Sequence, residues 1–210
     1  MWIRRTASEL FQVDKRLFFV VLCLLTFFVL FLKKNFVEAE TYAFQILEER
    51  GEFGIFKLIN GLQYLSIPLI YFLKFTCISF TLWVGSFMFG YRIHYNRVWQ
   101  IVMFAELIFL GAEGLKIFWF MFFQAEATIW DIKNFYPLSL MSFFDYESIH
   151  PKYAYPLKSL NLFEVAYWFI LVYGIHWTAQ KKLSVAYAIV FCSYVLFYLL
   201  WLLFFIGVYK

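Results

Sequence analysis

Hydrophobic residues come along this chain in five long blocks, parted by short polar or proline-punctuated stretches. A block of about 20 apolar residues is the length at which a helix crosses a hydrocarbon core. The blocks predict spans at residues 17–32, 62–90, 98–123, 162–177 and 185–208, preceded by a polar tail, residues 1–16. The first block is followed by Lys33 and Lys34 rather than by small residues for cleavage, so it reads as an uncleaved anchor. Residues 33–61 set Phe36, Ala43, Phe44 and Leu47 near helical spacing, with Glu40, Glu48 and Glu49 between them, which predicts an amphipathic helix on the membrane surface. Residues 124–161 carry Pro137, Pro151 and Pro156 and cannot form one continuous helix. They read as a cap over the ends of the spans, with a re-entrant, substrate-gating segment as the alternative. The expected fold is an all-α integral membrane protein with five transmembrane helices in one membrane domain.

Charge orients the spans. With the N-terminus in the cytoplasm, the cytoplasmic pieces carry Arg4, Arg5, Lys15, Arg16, Arg92, Arg97, Lys181 and Lys182 against only Glu9 and Asp14. The other side carries as many lysines and arginines over more than twice the length, together with most of the acids. This positive-inside bias predicts an N-in, C-out topology.

Composition removes the soluble alternative. Hydrophobic residues make up 64% and charged residues 15%, with a mean hydropathy of +0.72, against about 45–50% and about 25% in a soluble domain. The net charge of +4 comes without a basic run interleaved with stacking aromatics, so nucleic acid is not an expected partner. The 30 phenylalanines are spread over all the blocks and read as lipid-facing bulk; an aromatic-lined pocket for a lipid is the alternative. Cys23, Cys77 and Cys192 lie apart within apolar blocks and read as small core residues, with neither metal-ligand nor disulfide spacing. His94, His150 and His176 share neither face nor depth, so no metal and no cofactor is expected.

Candidate chemistry narrows to charges inside the apolar blocks, where a charge normally pairs, faces other helices or serves a function. The third block carries Glu106, Glu113 and Lys116; the first two are seven residues apart and share a helix face, with Lys116 beside Glu113. Counted from the short turn joining the second and third spans, Lys74 and Glu113 fall at nearly one depth, which predicts a Lys74–Glu113 pair. Gly111 and Gly114 flank Glu113 and predict a close helix approach there. One reading makes Lys74, Glu113 and Lys116 a neutralised structural cluster; the other makes Glu106 and Glu113 protonatable sites of a small transporter or ion-coupled permease subunit. No nucleophile or acid–base arrangement marks an enzyme, with a membrane-embedded lipid enzyme using a single carboxylate as the remaining alternative. In the proline-containing segment the phrase Tyr136-Pro137-Leu138-Ser139-Leu140 returns as Tyr155-Pro156-Leu157-Lys158-Ser159-Leu160. With Asn161 and Glu164, at the start of the fourth span, Tyr136, Pro137, Tyr155 and Pro156 form the candidate outer recognition surface.

Two stretches resemble a known family. Leu82-Trp83-Val84-Gly85 through Gly90-Tyr91-Arg92 leads into a basic turn and a further span. Tyr155-Pro156-Leu157, Leu160-Asn161-Leu162-Phe163-Glu164-Val165, Tyr167-Trp168 and Tyr173-Gly174 follow later. Over residues 58–208 the chain resembles the Yip (Yip-one-like) five-span membrane proteins, in their bacterial form. The resemblance implies a five-span bundle in a cell inner membrane and a non-enzymatic role in membrane organisation or trafficking. The implied partners are membrane lipids, other membrane proteins or a second copy. Eukaryotic members associate with Rab GTPases through a long cytosolic N-terminus; a tail of about 16 residues weighs against a GTPase partner here.

Overall fold

The computed structural model describes residues 14–38, 53–123, 131–132, 135–144, 148–180 and 182–209. Among them the chain is helical throughout, with one isolated bridge, Ser139 to Asn161, and no strand. Asp14 opens the first helix by accepting from the Arg16 amide at 2.9 Å, a side-chain cap on an otherwise unpaired donor. This helix, α1 (Lys15–Leu32), runs on into a π turn, Lys33–Glu38. Helix α2 is Phe53–Met88, and a tight turn delivers the chain to α3 (Tyr95–Ala105) and α4 (Leu107–Phe122). A 3-10 turn at Leu140–Phe143 and the short helix α5 (Pro151–Ser159) follow. Asn161 then caps α6 (Leu162–Ala179) by accepting from the Glu164 amide at 2.8 Å, the start anticipated from the sequence. The last hairpin arm is α7 (Leu183–Val190), a π turn at Phe191–Val195 and α8 (Leu196–Val208).

Four of the described helical stretches are long and apolar enough to cross a membrane: Lys15–Asn35, Gly61–Met88, Leu162–Ala179 and Leu183–Val208. The third apolar block differs from expectation. It begins at Tyr95, not at residue 98, and it breaks at Glu106, where the Phe109 amide reaches the Glu106 carbonyl at 3.0 Å in an i to i+3 bond. Its halves have 11 and 16 residues, each short of the roughly 20 needed to span by itself. The start of the second helix moves further. The helix expected from residue 62 starts at Phe53 and continues through Pro68. The amphipathic helix expected over 33–61 has its central residues, Glu40, Ala43, Phe44, Leu47, Glu48 and Glu49, outside the described ones.

The surface is apolar and the interior holds the polar groups. Leu65, Phe197 and Leu203 are more than 60% exposed, whereas Ser79, Ser86, Gln100, Glu106, Lys116, Glu164 and Ser193 are buried. A soluble core has the reverse arrangement. The core joins Phe75 and Leu82 of α2, Val98, Ile101 and Val102 of α3, Tyr167, Leu171 and Ile175 of α6, and Ile189 of α7. Close approach occurs at two glycines other than the expected ones. A Cβ on Gly85 of α2 would stand 2.6 Å from Ser193 Cβ in the π turn, and one on Gly174 of α6 would run into Ile101 of α3. Gly111 and Gly114 have nothing within 4 Å of that position, because the face they occupy turns away from the bundle. Cys77 and Cys192 are likewise exposed rather than core.

Candidate functional site

Two helices supply matching walls of one cavity. Lys74, Cys77, Ile78 and Thr81 of α2 recur at the spacing of a single helix face, and so do Tyr194, Phe197, Tyr198 and Trp201 of the π turn and α8. α2 packs against α7 and the π turn, where Gly85 meets Ser193; beyond that contact α8 packs on α5 instead. The gap so opened between α2 and α8 is a cavity of about 860 Å³, with Phe109 of α4 and Glu164 of α6 also on its wall. The π turn sets this register: its extra residue rotates everything after it relative to an unbroken α-helix. The Ser193 hydroxyl donates to the Ile189 carbonyl at 2.5 Å within it.

The proline-containing segment closes the other side. Its two similar phrases meet at their ends: the Leu140 amide donates to the Leu160 carbonyl at 2.9 Å, and the Leu162 amide to the Leu138 carbonyl at 3.0 Å. Asn161 holds the junction, its amide nitrogen donating to the carbonyls of Lys158 and Ser159 while its oxygen caps α6. Tyr136, Tyr155, Lys158, Ser159 and Asn161 thereby face the cavity. Pro137 and Pro156 are buried beneath them and serve as packing.

Glu164 is the buried acid of the site. Its Oε1 accepts from Trp168 Nε1 at 2.8 Å and from the Tyr194 hydroxyl at 2.9 Å. The Tyr198 hydroxyl donates to the Ser159 carbonyl at 2.7 Å and ties α8 to the cap. Burial pushes the Tyr136 hydroxyl well above the ordinary tyrosine range, and the carboxylates Glu113, Glu164 and Glu106 push the same way, so Tyr136 stays protonated. Burial also lowers the Lys158 ammonium from its ordinary 10.5; Lys33 nearby lowers it further and Glu113 opposes.

The charges of the third block pair differently from expectation. Lys74 Nζ lies 2.6 Å from Glu106 Oε1 and 4.8 Å from the Phe109 ring centre. Glu113 takes Lys33, from the end of α1, at 3.2 Å. The Lys74–Glu113 pair fails because α3 starts three residues earlier than residue 98, which lifts Glu106 by about 4.5 Å towards the level of Lys74. Lys116 is buried on α4. Glu106 Oε2 and the Tyr167 hydroxyl are buried with no hydrogen-bond partner among the described residues.

The structure therefore joins the two groups of candidates singled out in the sequence: Lys74 of the intramembrane charges and Tyr136, Tyr155, Asn161 and Glu164 of the outer surface line one cavity. Lys33, Lys158, Tyr194 and Tyr198 were missed. Lys33 had a usable signal, since it follows Lys15 by 18 residues, as Glu113 follows Tyr95. The two tyrosines had none, because their facing depends on the π turn. No family model, curated protein or solved structure matches this chain.

Proposed function

We propose that this chain is a non-enzymatic, multi-pass membrane protein that binds a membrane lipid in the cavity between α2 and α8. The observation that carries the reading is the mouth of that cavity. Cys77, Phe197 and Trp201, exposed residues of two apolar helices, stand at its rim, while Lys74, Lys158 and Glu164 line its wall. A ligand reaching charged groups through an apolar rim must itself carry both characters. The volume falls within the roughly 300–1,000 Å³ of ligand pockets. Lipid binding is one of the roles implied by the resemblance to Yip-type proteins, and the inner membrane of a bacterial cell is the location that goes with it. In this reading α3 and α4 together make one of five crossings, N-in and C-out. That count is supported by the packing of both halves against α6.

Purification in a mild detergent followed by native mass spectrometry tests it. The wild-type protein is expected to retain a phospholipid of defined mass. Cys77→Trp, which puts bulk at the rim without removing a buried contact, is expected to lose it while remaining monodisperse. Equal lipid content in both, or none in the wild type, sinks the reading.

A second reading, a small transporter or ion-coupled permease subunit, is favoured by one observation: the unpartnered Glu106 Oε2 beside a lysine that reaches the cavity. Flux into proteoliposomes that disappears in Glu106→Gln at unchanged lipid content would favour it.

A further inference from the structure

The cavity wall carries charges of both signs, Glu164 and Lys158 among them, and this bears on which lipid it takes. Glu164 is only 6% exposed. Both hydrogen bonds to its carboxylate converge on Oε1. No lysine, arginine or histidine among the described residues makes an ion pair with it. A buried carboxylate outside any ion pair is costly, and one facing a cavity marks a place for a cation. The rings around it fit that charge, for Tyr136, Tyr194 and Tyr198 are cavity walls, and aromatic faces attract an ammonium group. Lys158 also lines the cavity, and Lys33 and Glu113 are the charges that act on it. Lys74 is already satisfied by Glu106, so that pair adds little net charge.

A simple anion would meet Lys158 but would lie in the same cavity as the Glu164 carboxylate. A simple cation would meet the reverse problem. A headgroup carrying both charges offers an ammonium to Glu164 and a phosphate to the lysine on the same cavity wall.

Resting on the lipid-binding reading, we propose that the cavity selects a zwitterionic phospholipid with an amine headgroup. Its ammonium lies against Glu164 and the tyrosine rings, its phosphate faces Lys158, and its acyl chains leave between Cys77 and Trp201.

Thermal stability of the detergent-purified protein is measured with added phosphatidylethanolamine, phosphatidylglycerol or free phosphoethanolamine. Phosphatidylethanolamine is expected to bind about tenfold tighter than phosphatidylglycerol, the difference made by one charge-assisted contact. Free phosphoethanolamine, lacking chains, is expected to bind weakest. Glu164→Gln is expected to erase the preference between the two lipids while leaving binding itself. Lys158→Gln is expected to weaken both lipids alike. Should Glu164→Gln fail to fold, Tyr136→Leu, outside the spans, tests the same preference. Binding of both lipids without preference, or a preference for phosphatidylglycerol, overturns the headgroup assignment and leaves lipid binding standing. Absence of any lipid response in the wild type removes both, and tight binding of free phosphoethanolamine alone replaces a lipid with a soluble ligand.

Discussion

A charge carried into an apolar bundle needs a partner at its own depth, and depth is counted from where the helices begin. Lys33 and Glu113 stand equally far along α1 and the α3–α4 pair, and they meet. Lys74 has a long side chain and reaches Glu106 instead. Removing Lys74 leaves the buried Glu106 carboxylate uncompensated. Lys74→Glu and Glu106→Lys are each expected to lower membrane accumulation and monodispersity in detergent, and the combined variant to recover both. Lys74→Glu with Glu113→Lys is expected to stay defective; its recovery would overturn the pairing. Lys158 offers a second test at this scale. Its ammonium is lowered by burial and then by Lys33, so it gives up its proton below 10.5. Between its lowered pKa and 10.5 it is neutral where an ordinary lysine is charged, so a phosphate ligand held there is lost as pH rises through the lowered value. Lys33→Gln removes the repulsion and is expected to move the half-reaction pH of Lys158 labelling upward. No movement, or a downward one, would show that Lys33 does not act on it.

At the scale of elements, two small residues let helices touch where the bundle is tightest. Gly174 lets α6 close on Ile101 of α3, and Gly85 lets α2 close on the π turn. Overpacking such a contact costs about 1–3 kcal/mol. Gly174→Ala is expected to lower the unfolding temperature in detergent. Ile101→Ala is expected to lower it as well, but the double variant should lose less than the two losses added, because the smaller side chain at 101 frees the space. Gly111→Ala, where the added methyl meets nothing, serves as the contrast and is expected to be neutral. A drop at Gly111 equal to that at Gly174 would mean that a further surface packs there. The contact of Gly85 with Ser193 also decides the site: it pins α2 to the π turn, and the parting of α2 and α8 beyond it makes the cavity.

At the scale of the whole molecule, the outward apolar face and inward polar groups fit a bilayer, and the topology follows from which turns share a side. The turn after α2 and the turn after α6 carry Arg92 and Lys182, whereas α5 carries Lys152 in the cap. In a cysteine-free background, Arg92→Cys and Lys182→Cys are expected to react with an impermeant thiol reagent only after the cells are opened. Lys152→Cys is expected to react from outside. Labelling of positions 92 and 152 from the same side, with 182 opposite, would refute five crossings.

The helical class, the apolar blocks and the helix start at Asn161 were legible in the sequence because each depends on local pattern: a long run of apolar residues, or the polar residue at which it begins. The candidate site was half legible. Lys74, Tyr136, Tyr155, Asn161 and Glu164 stood out one by one, since a charge in an apolar block or a repeated proline phrase is visible in one dimension. That they line a single cavity was not visible, nor was the choice of Glu106 over Glu113. Both depend on where α3 begins, on the break at Glu106 and on the extra residue of the π turn at Phe191–Val195. Each of these shifts a helix by three residues or fewer, too little to disturb a hydrophobic pattern yet enough to change which side chains meet. Apolar helices with charges inside are written into the order of residues; which charges pair and where a cavity opens is not, because helix register is settled by packing between elements and not within them.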